Sequence, residues 1–176
     1  MTLASACGGD DESSSPPAAP APATTTSAAA VPDVPPPVAD TWQIILDATE
    51  SGEYEQLRSV LEKKVFLSDY GFGKNQPDPI ERWKAMGPEP LGIMGVLLRM
   101  PHAVKETGEG TLYEWPRFDA NSEPEDIKPA DREAFLSFMT EDELVSALTP
   151  DYGYTGPRLG ILADGTWWFF VSGGAP

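Results

Sequence analysis

The sequence predicts an α+β domain, a helix pair packed on a small, mostly antiparallel sheet. Three observations carry that expectation. An apolar stripe at helical spacing opens the folded part, where Trp42, Ile45, Leu46 and Thr49 fall on one face. A hairpin closes it, with Asp164-Gly165 between two apolar runs. Between them, helical and strand patterns alternate without an internal repeat, which suits a layered architecture.

Each element has its own signal. Asp40 is read as a helix cap with Gln43 three residues on, and Gly52 as the stop. Tyr54, Leu57, Val60 and Leu61 repeat at helical spacing, and the short Glu50-Ser51-Gly52 link predicts an antiparallel helix pair. Lys64 to Ser68 reads as a strand, and Tyr70-Gly71-Phe72-Gly73 as a turn. Asp78-Pro79-Ile80-Glu81 combines a cap, a proline at the first helical position and an early carboxylate, so a helix carrying Trp83 starts there and stops at Gly87-Pro88. Pro90 opens a largely apolar helix that ends before Pro101. Thr111 to Trp115 is a strand closed by Pro116, and residues 119–130 form an acidic loop. A short helix runs from Arg132 to Phe138, and Thr140 with Glu143 makes a capping box stapled by Met139 and Leu144, in a helix that Pro150 ends. In the hairpin a two-residue turn would set Leu162 opposite Trp167 and Ile161 opposite Trp168. Trp167 to Phe170 is apolar on both faces, so the hairpin is expected at the centre of the sheet.

The folded unit is expected over residues 41–176, because residues 1–41 contain no aromatic side chain. Residues 1–40 are read as a lipobox remnant followed by a disordered tether of Pro, Ala, Ser and Thr, which cannot bury enough surface to offset ordering entropy. As extended polyproline the tether would reach about 100 Å.

Charge and residue inventory narrow the function classes. The net charge is −16, with 12 basic against 28 acidic residues, which argues against nucleic-acid binding and against electrostatic attachment to anionic lipid. One cysteine, Cys7, forbids an intrachain disulfide, and with one histidine, His102, a Cys/His zinc site is not expected. No cofactor is expected. No run of ~18 apolar residues is present, so membrane contact is expected only through a lipid anchor.

The motifs that could carry chemistry mostly read as structure. His102 lies near a helix end without a paired nucleophile and is read as an ordinary helix-terminal histidine. Gly73-Lys74-Asn75 fails the phosphate-loop pattern, which needs glycine where Ser68 stands and a hydroxyl residue at Asn75. Asp119, Asn121 and Glu123 alternate as in a calcium loop, but Pro124 and Ala130 occupy the positions that require glycine and glutamate. Phe72, Trp83, Tyr113 and Trp115 are the candidates for lining an apolar pocket, with Arg158 beside them; the competing reading puts the aromatics in the core. A partly buried Arg158 would need a carboxylate, Glu81 or Glu114.

Two resemblances add expectations. Leu3-Ala4-Ser5-Ala6-Cys7-Gly8-Gly9 resembles a bacterial lipobox, which implies that Cys7 is lipidated and becomes the mature amino terminus. The basic and apolar regions of such a signal would then be encoded upstream of Met1; with Met1 as the true start the chain would stay in the cytoplasm. Tyr70 to Gly73, Glu81-Arg82-Trp83, Tyr113 to Pro116 and the run from Tyr154 through Gly173 resemble a family of bacterial secreted or lipoprotein domains without an established activity. The helix pair before a sheet also resembles the cone-shaped NTF2-like fold. Together these imply an envelope-tethered, non-enzymatic domain that binds an envelope protein or a small apolar or aromatic ligand. The alternative they imply is an NTF2-like hydrolase or isomerase using carboxylates or tyrosines in a cone-shaped pocket.

Overall fold

A computed structural model describes residues 31–61, 78–118, 124–149 and 153–172. The fold is α+β, as the alternation of patterns predicts. The expected strand from Lys64 to Ser68, the turn at Tyr70 to Gly73, Phe72 and Cys7 lie outside the described residues.

Helix α1 spans Pro36–Ser51, and a 3-10 turn at Tyr54–Leu57 runs into the short helix α2, Arg58–Leu61. The first helix therefore starts four residues before Asp40. Pro35, Pro36 and Pro37 fit its start because the first turn needs no donor from its own N–H groups. Val38 is fully buried, so the folded unit begins before residue 41. Gly52 takes the left-handed conformation that ends α1, as expected.

Asp78 caps α3, Pro79–Met86, its carboxylate accepting from the Ile80 N–H at 2.9 Å. Helix α4, Glu89–Leu98, is apolar almost all round and buries Leu91, Ile93, Met94, Leu97 and Leu98. Helix α5, Pro129–Phe135, begins three residues earlier than the Arg132 expectation. Pro129 supplies its first turn, and Phe135 is fully buried. Thr140 and Glu143 form the expected capping box on α6, Glu141–Ala147.

Six strands are described. β1 (Ala103–Thr107), β2 (Gly110–Trp115), β5 (Arg158–Leu162) and β6 (Trp167–Val171) form an antiparallel sheet in the order β1-β2-β5-β6, while β3 (Leu148–Thr149) and β4 (Gly153–Tyr154) pair by themselves. Sequence patterning misses β1 because its residues are polar and half-exposed, with Val104 55% exposed. What fixes β1 is a tight turn to β2, with Thr107 opposite Gly110.

The hairpin departs from the expected register. Ile161 pairs with Trp167 rather than Trp168, and Gly160 pairs with Phe169, so Trp168 is an extra residue on β6. The turn is also one residue longer. The Gly165 N–H donates to the Leu162 carbonyl, the Leu162 N–H donates to the Thr166 carbonyl, and Asp164 accepts from the Thr166 N–H. This bulge explains how four consecutive aromatics share two faces. Trp167 and Phe170 join the main core, while Trp168 and Phe169 turn to the opposite face with Leu112, Leu162 and Val171. Gly160 leaves space for the Phe169 ring, which would lie 2.5 Å from a Cβ there. Leu112, Leu162 and Phe169 are buried on the second face, but the central strands are β2 and β5. Among the described residues β6 is an outer strand.

The helices lie on one face of the sheet. α1 packs against α4 and β5, and the Trp42 indole donates to the Leu98 carbonyl at 3.0 Å. Trp83 sits between Trp167 and Phe170, with ring centroids 5.9 and 5.6 Å away.

Candidate functional site

Among the described residues, Trp83, Tyr113, Trp115 and Arg158 do not line the cleft described below. Trp83 and Trp115 are buried to within 1% and stand in the core cluster, where the competing reading puts the aromatics. Tyr113, half-buried on β2, and Trp115 both touch His102, at 5.7 and 5.3 Å between ring centroids. Burial against these rings pushes the imidazole pKa down, and Arg117 adds to the effect while Asp33 opposes it. His102 is thus a neutral ring packed on an aromatic strand at neutral pH, in keeping with its structural reading.

Arg158 opens β5 and donates from Nη1 to the Tyr154 carbonyl at 2.9 Å. Neither expected carboxylate is its partner. Glu114 is bridged by Lys105 at 2.6 Å, and Glu81 by Lys84 at 3.1 Å. The half-exposed position of Arg158 lets water solvate the guanidinium, so burial imposes no carboxylate on it.

The concave site lies elsewhere. An open cleft of about 510 Å³ is bounded by the start of α4, the junction of α5 with α6, residues Thr155 to Pro157, and Ser172 after β6. Its position follows from local sequence. Gly87-Pro88 stops α3 and turns the chain so that Glu89 and Ile93 face the cleft from α4. The capping box fixes where α6 starts, placing Asp142, Glu143, Ser146 and Ala147 along one side. Thr155 is tied to that helix, its N–H and hydroxyl both donating to the Ala147 carbonyl at 2.8 and 3.2 Å. Ile93, Phe138, Met139 and Pro157 supply apolar surface.

The electrostatics are one-sided. Glu89, Asp142 and Glu143 line the cleft, and among the described residues no Lys, Arg or His does. Glu143 accepts from the Thr140 N–H and hydroxyl at 2.7 and 2.8 Å, and these bonds hold its carboxyl below the usual range. It stays ionised into mildly acidic solution.

Beneath Gly156, Tyr154 is 7% exposed and its hydroxyl has no hydrogen-bond partner among the described residues. The hydroxyl oxygen would lie 2.4 Å from a Cβ at Gly156, so only glycine fits at that point of the cleft wall. Burial raises the Tyr154 phenol pKa well above its ordinary value. A neutral, weakly polar ring under the cleft adds apolar support without a charge.

Sequence reasoning found Glu143 only as a capping residue and missed Glu89, Asp142, Met139 and Thr155 as neighbours. Glu89 precedes Met139 by 50 residues and Thr155 follows Asp142 by 13, and no local periodicity announces that they converge. Among the described residues no group of three His, Cys, Asp or Glu is placed to hold a metal ion, and no helix is long and apolar enough to cross a membrane. No family model, curated protein or solved structure matches the chain.

Proposed function

We propose that the chain is a lipid-anchored domain of the bacterial envelope that binds a partner or small ligand and performs no chemistry of its own. The observation that carries the binding role is the open cleft of about 510 Å³, within the ~300–1,000 Å³ range of ligand sites and floored by Ile93, Met139 and Pro157. The anchor rests on the lipobox-like run ending at Cys7 and the Pro-rich stretch after it. The cleft is lined by helices and strand-end residues rather than by the middle of the sheet, which favours this reading over an NTF2-like hydrolase working in a cone.

Two measurements test it. Growth of the expressing bacterium with labelled palmitate should tag the full-length chain, and Cys7→Ser should lose both the label and the membrane fraction. Unlabelled, unchanged partitioning would remove the anchor. Amide shift mapping of the chain with neutral aliphatic and aromatic fragments should cluster on Ile93, Met139, Ser146 and Gly156. Shifts confined to other surfaces, or none, would remove the binding role from this cleft.

A further inference from the structure

We propose that the cleft takes a basic-apolar peptide segment, with a Lys or Arg side chain at the rim of Glu89, Asp142 and Glu143 and a neighbouring apolar side chain on the floor of Ile93, Met139 and Pro157. The proposal rests on the binding role above and names its ligand class.

Charge complementarity is the first support. Ion pairs elsewhere join Glu50 to Arg99 at 2.8 Å, Asp78 to Arg58 at 2.8 Å, Glu114 to Lys105 at 2.6 Å, and Glu141 to Arg132. Among the described residues no basic side chain pairs with Glu89, Asp142 or Glu143, and Arg132 pairs instead with their neighbour Glu141. Three uncompensated carboxylates around a concavity focus a negative field on whatever enters it. Glu143 is held at that rim by its two bonds to Thr140, so one charge of the three is preorganised.

The floor is the second support. A small hydrophilic cation would gain nothing from Ile93, Met139 and Pro157, whereas an apolar side chain beside the cation would cover them. Methionine adapts to ligands of varied shape. The cleft is open to solvent, so a cationic side chain and its apolar neighbour on a peptide can enter it together. The overall charge of −16 draws basic partners to the molecule from a distance.

The test uses the full-length chain and three synthetic peptides built on one tryptophan: flanked by lysines, by glutamines, and by glutamates. Calorimetric affinity and amide shifts are read at low and at physiological ionic strength. The lysine peptide should bind about tenfold or more tighter than the glutamine peptide at low salt, and the glutamate peptide weakest. The advantage should shrink as salt screens the rim. The exposed double variant Glu89→Gln/Asp142→Asn should bind the lysine peptide about as the wild type binds the glutamine peptide, and its circular dichroism should be unchanged.

Equal affinity for the lysine and glutamine peptides, with shifts in the cleft, overturns the cationic ligand class while the binding role stands. Shifts from the lysine peptide that avoid the cleft overturn the site. Failure of all three peptides together with binding of n-hexylammonium overturns the peptide in favour of a small amine. Failure of every probe, including the neutral fragments, removes the binding role with it.

Discussion

Thr41 and Gly165, 124 residues apart in the chain, are joined by a buried hydrogen bond in which the Thr41 hydroxyl donates to the Gly165 carbonyl at 2.6 Å. The same glycine stands at φ 82°, and a Cβ there would lie 2.6 Å from the Pro37 carbonyl oxygen. Two adjacent turns of α1 therefore seat on the tip of the hairpin.

Thr41→Val should cost about 1–3 kcal/mol, because it leaves the Gly165 carbonyl buried without its donor. Gly165→Ala should cost at least as much, through the left-handed backbone and the clash with Pro37. A chain that starts at Val31 should be clearly more stable than one that starts at Thr41, which lacks the buried Val38. Urea denaturation checks all three, and equal midpoints for the two truncations would show that residues 31–40 are dispensable.

The four aromatics of β6 should respond unequally. Phe170→Ala empties a fully buried position in the helix-facing core and should cost about 3–5 kcal/mol, a large share of a typical domain's stability. Trp168 is half-exposed on the other face, so Trp168→Ala should cost well under half of that. Thermal melts of the two variants decide. Equal losses would mean that the bulge does not separate the faces as described.

Stability should fall at both ends of the pH scale, for different residues. Hydrogen bonds from Arg58 and then Lys84 hold the Glu55 carboxyl at about 2. A carboxyl depressed on folding adds stability above its unfolded value of ~4.3, and that contribution is lost as pH falls toward 2. Glu55→Gln should flatten the acid limb of a denaturation-midpoint profile. Burial raises the Tyr154 phenol, so its contribution is full below its unfolded value of ~10 and is lost at higher pH. Tyr154→Phe should extend the alkaline limb and, by deleting an unpartnered hydroxyl, be neutral or stabilising by up to about 1 kcal/mol at pH 7. A variant less stable than wild type at pH 7 would show that the hydroxyl has a partner.

The legible parts of the fold are those whose signal is local. Asp78-Pro79, Gly52 and the Thr140–Glu143 box mark helix ends through bonds within a few residues, and each stands where the sequence puts it. The misplaced parts depend on distant partners. α1 extends back to Pro36 because Val38 has a core to enter, and β1 is a strand because β2 pairs with it. The register of β6 shifts because the loop through Gly165 closes one residue later than Asp164-Gly165 alone suggests. The cleft was illegible for the same reason. Aromatic residue types pointed to Trp83 and Trp115, which fill the core, whereas the cleft is walled by acids and hydroxyls that look like ordinary surface in the sequence.

The packing of α1 against α4 and β5 also sets an order of events during synthesis. Ribosomes deliver α1 first and the hairpin last, and loop closure across more than a hundred residues must precede the contacts that reward it. Trp42, Ile45 and Leu46 then wait without their final cover until Leu159 and Ile161 have emerged. α1 can therefore meet α4 before the hairpin is made, whereas its contacts with β5 form only after Arg158–Leu162 has been synthesised.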